Sequence, residues 1–406
     1  MTREGEGTMR IGIYGGTFNP PHLGHLTAAK AAFELLRLDR LLLIPASQPP
    51  HKALPAGSPS AEQRLALTRL AAEQLELGDR VEVLDIELRR QGKSYTVETL
   101  EELRRQYPGA ELWLLMGTDM FLSFGKWYHP ERIAREVTLA VAHRDVDDPQ
   151  VLHECERTLR ETLGARTVFV ENSFLPHSST SVRAMLAFDC AASYLSAPVL
   201  DYIRENALYF CGAKLKNLPF EELSRVSLSL HKPKRVAHVA GCSMTARRLA
   251  VQYGADETDA ARAGILHDIT KALSGDEQLK LCERYAMILD KFERDNPKLL
   301  HAKTGSVIAR EIFGENDAVC EAICWHTTGK ADMTTLEKIV YLADYIEPNR
   351  DFPGVQELRE LTAQSLDLGL RRGLEMTVAQ VRANGREVDR NSLGALRFLQ
   401  ERMQTE

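Results

Sequence analysis

The sequence predicts an α/β domain with a doubly wound parallel sheet, followed by an all-α domain. In the first half of the chain, short apolar segments alternate with helical segments, and this alternation is typical of a parallel sheet covered by helices. From Pro219 to Met403 no strand-like run stands out, and apolar residues recur at helical spacing. The pattern changes after Gly212. We therefore place the two domains at residues 9–212 and 217–406.

Composition and charge narrow the classes of partner. The 406 residues are 44% hydrophobic and 27% charged, as in an ordinary globular protein. The net charge of -6 does not favour binding to nucleic acid. The start of the chain has no apolar core of a signal peptide, and no run of about 18 apolar residues predicts a membrane span. Seven scattered cysteines without a C-x-x-C pair suit a reducing compartment, so the expected location is the cytoplasm.

The first domain begins with an apolar strand at residues 11–14 and a helix at residues 23–36. A continuous apolar run at residues 41–45 predicts a second buried strand. Ser60, with Gln63 three positions later, is a plausible cap for a helix that runs to about residue 77. The remaining elements are predicted as strands at 81–88, 112–116, 137–143 and 167–170, and as helices at 97–107 and from Ser178 onward.

The loop between the first strand and the first helix carries the strongest signal, GGTFNPPHLGH at residues 15–25. A glycine-rich turn before a helix directs backbone N–H groups and the positive helix end toward an anion. His22 and His25 are three positions apart in the first turn, so both can face one phosphate. An ordinary strand-to-helix loop is the alternative, but H-x-G-H in this position favours a nucleotide-phosphate site.

Further polar residues follow the ends of the other predicted strands. Ligands of parallel sheets bind at the carboxyl ends of the strands. His51 with Lys52, Asp119 and Arg144 all lie at such ends. Ser178 to Arg183, SSTSVR, offers several phosphate donors at a helix start, although hydroxyl groups there often serve only as caps.

The second domain holds six metal-type side chains within or beside apolar helical stretches. A buried carboxylate or imidazole is costly unless it is paired or binds a metal. Histidine with carboxylate suits iron, manganese, cobalt or zinc better than magnesium alone. Six ligands are enough for two metal ions, although the count does not fix their number. The six are His238, His267, Asp268, His301, His326 and Asp344.

Three polar residues accompany these ligands. Lys271 follows His267 by one helical turn, and Arg350 follows Asp344 after a helix-stopping proline. Together with Thr327 they suit cleavage of a phosphate ester or anhydride. Surface charge or helix capping is the alternative explanation for these three.

Residues 9–212 resemble the bacterial nicotinate-nucleotide adenylyltransferases of the H-x-G-H nucleotidyltransferase superfamily. The resemblance rests on GGTFNPPHLGH, PPHK at 49–52, SYTVETL at 94–100, GTD at 117–119, Trp127-Tyr128 and SSTSVR at 178–183. The H-x-G-H motif alone implies only the superfamily. His177 departs from the pattern, because an aliphatic residue is expected before the SST run.

The resemblance implies transfer of AMP from ATP to nicotinate mononucleotide, which gives deamido-NAD and pyrophosphate with Mg²⁺ on the triphosphate. Nicotinamide mononucleotide remains an alternative acceptor. His22 and His25 would be catalytic, and Thr96, Asp119, Trp127 and Tyr128 would bind the mononucleotide. The residues implied for ATP and its phosphates are Gly15, Gly16, Thr17, Phe18, His51, Lys52, Ser179, Thr180 and Arg183.

Residues 217–403 are similar to HD-domain phosphohydrolases, and more narrowly to the symmetrical diadenosine tetraphosphatases. The similarity rests on RVAHVAG, ILHDITK, LLHA, WHTTG and, most specifically, LEKIVYLADYIEPNRDFPGV at 336–355. It implies an iron-type centre, with Asp268 also catalytic, and cleavage of diadenosine tetraphosphate to two ADP. Lys271, Thr327 and Arg350 would contact this substrate.

Two hypotheses remain for the complete chain. Either it is a bifunctional transferase and hydrolase, or the helical domain is a regulatory nucleotide sensor attached to an active transferase. The expected small-molecule partners are ATP, nicotinate mononucleotide and diadenosine tetraphosphate, without nucleic acid or membrane. The sequence leaves the oligomeric state open, and a homo-oligomer is one option.

Overall fold

The computed structural model describes residues 8–47, 54–90, 92–143, 148–171 and 177–405. The chain divides into two compact units, Met1–Gly212 and Ala213–Glu406. None of the helices in these described ranges is long and apolar enough to cross a membrane.

The first unit contains a six-stranded sheet in which every neighbouring pair is parallel. The strand order is β3-β2-β1-β4-β5-β6, so the direction of winding reverses between β1 and β4. A reversal of this kind opens a crevice at the carboxyl ends of the two central strands. The strands are β1 (Arg10–Gly16), β2 (Arg40–Pro45), β3 (Val81–Val83), β4 (Glu111–Gly117), β5 (Val137–Ala142) and β6 (Arg166–Val170).

Two apolar cores cover the two faces of this sheet. Along β2, Leu42 and Ile44 belong to one core, whereas Leu41 and Leu43 belong to the other. This alternation follows from the two-residue repeat of a strand and confirms the predicted doubly wound α/β fold. The helices are α1 (Leu23–Leu35), α2 (Ala61–Glu73), α3 (Ile86–Arg89), α4 (Thr96–Gln106), α5 (Thr118–Leu122), α6 (Pro130–Glu136), α7 (Pro149–Leu163), α8 (Ser179–Ala187) and α9 (Ala197–Glu205).

The strand predicted at residues 81–88 is shorter in the structure. It ends at Val83, after which Leu84 makes one more backbone hydrogen bond to Leu43. The chain then turns into helix α3, whose first residue, Ile86, is buried in the core. The alternating apolar residues predicted a longer strand. An edge strand has a hydrogen-bonding partner on one side only, and here the last apolar residues lie in a helical turn whose side chains pack into the core.

The second unit consists of helices over its described residues. The longest helix, α11, packs against α12 and α17. Five of its residues share one face at helical spacing in the sequence, and of these Val239, Cys242, Ala246 and Leu249 are buried, whereas Tyr253 is half-buried. The helices are α10 (Phe220–Ser229), α11 (Pro233–Tyr253), α12 (Glu257–Leu266), α13 (Gly275–Arg284), α14 (Lys291–Asp295), α15 (Leu300–Ile308), α16 (Asp317–Trp325), α17 (Thr335–Ile346), α18 (Val355–Gln364), α19 (Leu366–Ala383) and α20 (Arg390–Thr405).

Candidate active sites

The H-x-G-H segment lies at the carboxyl edge of the sheet, beside the reversal of winding. Gly15 and Gly16 end β1, and His22 caps the start of α1. Between them, Phe18 is buried and has a left-handed backbone, with φ of 43°. The loop therefore turns sharply and presents the amino end of α1 to the edge of the sheet where ligands bind.

The two histidines of the motif lie against each other. Their ring centroids are 3.8 Å apart, and the backbone N–H of His22 donates to Nδ1 of His25 over 3.2 Å. Phe18 packs edge-on against the His25 ring at 5.3 Å. Because Nδ1 of His25 accepts this bond, Nε2 carries the proton in the neutral ring.

The start of helix α8 supports this loop from a distant part of the sequence. Ser179 Oγ donates to the Pro20 carbonyl over 3.2 Å, and Arg183 Nη1 donates to the Asn19 carbonyl over 2.8 Å. Thr180 Oγ1 accepts a further bond from Arg183 Nη2. Burial lowers the pKa of Arg183 to about 10, which still leaves it charged at neutral pH. The guanidinium group is thus committed to the loop backbone.

The residues expected to bind the acceptor lie on elements after β3 and β4. Asp119 is exposed in the first turn of α5, directly after β4, and Thr96 is the first residue of α4. Trp127 packs against Phe124 with ring centroids 5.3 Å apart, and Tyr128 packs against Tyr95 at 4.5 Å. Three further predictions, His51, Lys52 and Arg144, lie outside the described residues.

The six predicted metal ligands come together in the second unit, from five helices or the residues that end them. His238 lies on α11, His301 on α15 and Asp344 on α17, while His267 and His326 end α12 and α16. Their donor atoms form three overlapping groups, each within 4.8 Å. These groups are His238, His267 and Asp268; His267, His326 and Asp344; and Asp268, His301 and His326.

Asp268 lies between two pairs of histidines. Its Oδ2 is 3.7 Å from Nε2 of His238 and 3.3 Å from Nε2 of His267. Its Oδ1 is 3.3 Å from Nε2 of His301 and 3.8 Å from Nε2 of His326. Each carboxylate oxygen therefore faces a different pair of imidazole nitrogens.

Hydrogen bonds to backbone carbonyl groups orient three of the four imidazoles. Nδ1 of three histidines lies 2.6–2.8 Å from the backbone carbonyl three positions earlier: Gly264 for His267, Lys298 for His301 and Ile323 for His326. A carbonyl can only accept, so in the neutral ring Nδ1 carries the proton and Nε2 keeps its lone pair toward the cluster.

The chemistry of this donor set fits a divalent transition metal. Nε2 of His238 and Nε2 of His267 are buried and have no hydrogen-bond partner among the described residues. Burial lowers the pKa of His326 to about 4 and holds the pKa of His267 well below its usual value. Neutral imidazoles with free lone pairs, together with two carboxylates, are the ligands that such metals take.

Three cationic side chains surround the cluster. Arg235 forms an ion pair with Asp268, and Arg350 forms one with Asp344. Lys271 Nζ lies 2.8 Å from Nε2 of His301, and burial lowers its pKa to about 8. Thr327, the third predicted substrate contact, places its hydroxyl 3.2 Å from Nε2 of His301 and 3.1 Å from Nε2 of His326. Such a positive rim suits a phosphorylated ligand.

Two residues of this site, Arg235 and Glu347, were not predicted from the sequence. Arg235 precedes His238 by one helical turn, a spacing that could have indicated it. Glu347 is buried, with Oε1 3.1 Å from Nδ1 of His238, and its Oε2 accepts the backbone N–H of Asn349 over 2.7 Å. A Cβ at Gly241 would lie 2.4 Å from this Oε2, so the glycine leaves room for the carboxylate.

Comparison with known proteins matches a different family model to each of the two units. A model of the cytidylyltransferase-like family matches residues 13–185, and a model of the HD domain matches residues 235–349. Two curated relatives of the first half bear the name "Probable nicotinate-nucleotide adenylyltransferase". The protein from Pelobacter propionicus is 38% identical over 217 residues, which cover 50% of this chain and 98% of the relative. The protein from Synechococcus sp. is 39% identical over 203 residues, 49% of this chain and 94% of the relative.

One solved structure matches the chain at 34% identity. It is a crystal structure from Clostridium acetobutylicum described as a "predicted HD superfamily hydrolase involved in NAD metabolism". The match covers 46% of this chain and 98% of that chain, with a TM-score of 0.45.

Proposed function

Because the first half of this chain belongs to the nicotinate-nucleotide adenylyltransferase family, we propose that it transfers AMP from ATP to nicotinate mononucleotide. The products are deamido-NAD and pyrophosphate, a step of NAD biosynthesis. The observation that carries this proposal is the pair of closely packed imidazoles, His22 and His25, at the amino end of α1. That position combines two imidazoles with the N–H groups of a helix start at the carboxyl edge of the sheet.

The proposed reaction needs no nucleophile from the protein. A phosphate oxygen of nicotinate mononucleotide attacks the α-phosphorus of ATP, and the bond from that phosphorus to the oxygen of the β-phosphate breaks. Pyrophosphate leaves with the electron pair. His22, His25 and the amino end of α1 stabilise the negative charge that develops on the phosphoryl oxygens. When bound, Mg²⁺ supplies further neutralisation of the triphosphate.

Ser179 and Thr180 are proposed to line the triphosphate site with Gly15, Gly16, Thr17 and Phe18. Their support is position, since Ser179 already bonds to the loop at Pro20. The contacts of Arg183 with Asn19 favour a role in holding the loop. His51 and Lys52 remain proposed phosphate contacts on the sequence alone.

For the acceptor, we propose that Trp127 and Tyr128 frame the pyridine ring and that Thr96 and Asp119 bind the rest of the mononucleotide. The indole Nε1 is buried and has no hydrogen-bond partner within the described part of the chain. A nicotinate carboxylate would give it one. Nicotinamide mononucleotide lacks this charge, so turnover of the two mononucleotides at equal concentration tests the choice. A higher kcat/KM for nicotinamide mononucleotide would contradict the proposal.

For the second unit, we propose metal-dependent, symmetrical hydrolysis of diadenosine tetraphosphate. Water adds to one of the two central phosphorus atoms, the central anhydride bond breaks, and two ADP are released. The observation that carries this proposal is Asp268, whose two oxygens face two separate pairs of histidines. When bound, two divalent metal ions supply an activated water molecule and neutralise phosphate charge.

The residues of this unit would hold the metals and place the substrate. One metal ion would be held by His238, His267 and Asp268, with Asp344 close to both histidines, and a second would be held by His301, His326 and Asp268. Iron, or another divalent transition metal, matches this set of nitrogen and oxygen donors. Arg235, Lys271 and Arg350 supply positive charge for the four phosphates, and Thr327 supplies a hydroxyl.

A regulatory nucleotide sensor is the competing proposal for this unit. Full-length protein incubated with diadenosine tetraphosphate and Fe²⁺, Mn²⁺ or Co²⁺ separates the two. If the unit is a hydrolase, each diadenosine tetraphosphate should give two ADP, and the Asp268→Ala variant should release no ADP under the same conditions. Binding of the dinucleotide without release of ADP would support the sensor instead. Release of AMP and ATP would contradict symmetrical cleavage.

We further propose that the protein acts in the cytoplasm, as its seven scattered cysteines suggest. Both proposed activities act on adenylylated dinucleotides, so the second could remove side products of the first. That idea fails if the second unit hydrolyses none of the dinucleotides that the first unit makes.

A further inference from the structure

Arg64 is a charged residue in an apolar setting, behind the phosphate loop of the first unit. It lies on α2 and only 1% of its surface is exposed. No carboxylate in the described ranges forms an ion pair with it. Burial of a guanidinium group without a counter-charge costs free energy, and here burial lowers its pKa. A residue kept under these conditions needs a compensating set of contacts.

Those contacts are three backbone carbonyl groups from two separate segments. Nη1 of Arg64 donates to the Thr17 carbonyl over 2.9 Å and to the Ala46 carbonyl over 2.5 Å. Nη2 donates to the Ser47 carbonyl over 2.9 Å. Thr17 belongs to the loop after β1, and Ala46 and Ser47 directly follow β2. One planar guanidinium group therefore ties together the ends of two adjacent strands.

We propose that Arg64 is a positioning residue of the transferase, which fixes the phosphate loop against the segment after β2 through the carbonyl groups of Thr17, Ala46 and Ser47. This inference rests on the proposed adenylyl transfer. Arg64 does not contact ATP in this account. It acts through the backbone that carries the H-x-G-H motif.

The loop needs such support because of its backbone conformation. Phe18, next to Thr17, has φ of 43°, which is unfavourable for a residue with a Cβ. On the other side of Phe18, the Asn19 carbonyl accepts from Arg183. Two buried guanidinium groups from α2 and α8 thus hold the residues on both sides of the strained position. Loss of either one lets the loop relax away from the geometry that places His22 and His25.

Kinetics of the full-length protein test this inference. Arg64→Gln keeps a polar side chain but loses the charge and the five-donor fork, while Arg69→Gln, at an exposed position of the same helix, is the matched control. Each protein is assayed well below its own Tm. We expect kcat/KM for ATP to fall about 100-fold in Arg64→Gln, because small misplacements of reacting groups cost this much. Arg69→Gln should match the unmodified protein.

A second variant separates the hydrogen-bonding fork from the charge. Arg64→Lys keeps the positive charge, but one ammonium group cannot reach carbonyl groups on both segments in the same way. We expect Arg64→Lys to restore less than about a tenth of the kcat/KM for ATP that Arg64→Gln loses. If Arg64→Gln does not fold, the activity of Arg64→Lys alone tests the role of Arg64.

Two results would overturn the inference. One is a lower Tm for Arg64→Gln with kcat and KM for ATP unchanged, which would make Arg64 a core residue only. The other is full activity in Arg64→Lys. Failure of the proposed function would look different, because the unmodified protein itself would then make no deamido-NAD.

Discussion

Individual side chains in both candidate sites are fixed by hydrogen bonds that point away from the reacting region. Nδ1 of His25 accepts from the His22 backbone, and Nδ1 of His267, His301 and His326 lies against the carbonyl group three positions earlier in the chain. In the three metal-site histidines, Nε2 is thereby the ring nitrogen that faces the Asp268 carboxylate. The protein thus sets the tautomer of each imidazole before any ligand arrives.

His238 obtains the same orientation from a carboxylate, which leads to a prediction about Glu347. Replacing Glu347 with Ala removes the acceptor for Nδ1 of His238 and should weaken metal binding by about 10–100-fold, as loss of an outer hydrogen-bond partner does in other metal sites. Titration of the metal-free protein with Mn²⁺ or Co²⁺ measures this. Glu357→Ala, at an exposed ion pair with Arg372, is the control. Unchanged affinity in Glu347→Ala would contradict the role.

A site residue could be predicted from the sequence when its partners lie only a few positions away in the chain. H-x-G-H and the HD pair carry their partners within a few positions, so His22, His25, His267 and Asp268 could be identified at once. Arg64 and Glu347 could not, because their partners are backbone carbonyl groups and an imidazole from distant segments. A buried arginine in an amphipathic helix has the same sequence pattern as an exposed one.

Secondary-structure elements were predicted best where burial and hydrophobic pattern agree. The central strands β1, β2, β4 and β5 are buried on both faces and read as continuous apolar runs. At the edge of the sheet, β3 ends at Val83, five residues before the predicted end at residue 88, because the last apolar residues belong to helix α3. Which helices approach closely enough to share a metal site could not be predicted from their individual patterns.

One close contact between two helices of the second unit can be tested by substitution. Gly264 on α12 faces α11, and a Cβ there would lie 2.7 Å from Cα of Ser243. Gly264→Ala should force the helices apart, lower the free energy of unfolding by about 1–3 kcal/mol and weaken metal binding, since His238 and His267 lie on the two sides. Chemical denaturation and metal titration check both effects.

Gly394→Ala is the matched control for that substitution. Gly394 lies within α20, and a Cβ there meets nothing within 4 Å. Alanine should leave stability unchanged or raise it by about 0.5–1 kcal/mol, because glycine loses more backbone freedom on folding. Equal stability for the Gly264→Ala and Gly394→Ala variants would show that the crossing tolerates a methyl group.

The two compact units each carry their own set of candidate residues. The residues proposed for adenylyl transfer belong to Met1–Gly212, and the candidate metal ligands all belong to Ala213–Glu406. We therefore expect Asp268→Ala to abolish ADP release from diadenosine tetraphosphate and to leave deamido-NAD formation within about twofold of the unmodified protein, since each activity is proposed to use residues of its own unit. Parallel assays of one preparation measure both. Loss of both activities would show that the units depend on each other.

Formation of deamido-NAD by His25→Ala, from ATP and nicotinate mononucleotide with Mg²⁺, tests the central claim most directly. The exposed His153→Ala variant on α7 is the control. The account predicts a fall in kcat of about 10²–10³-fold for His25→Ala, as when a group that stabilises transition-state charge is removed, and no change for His153→Ala. Deamido-NAD formation at the unmodified rate by His25→Ala would contradict it.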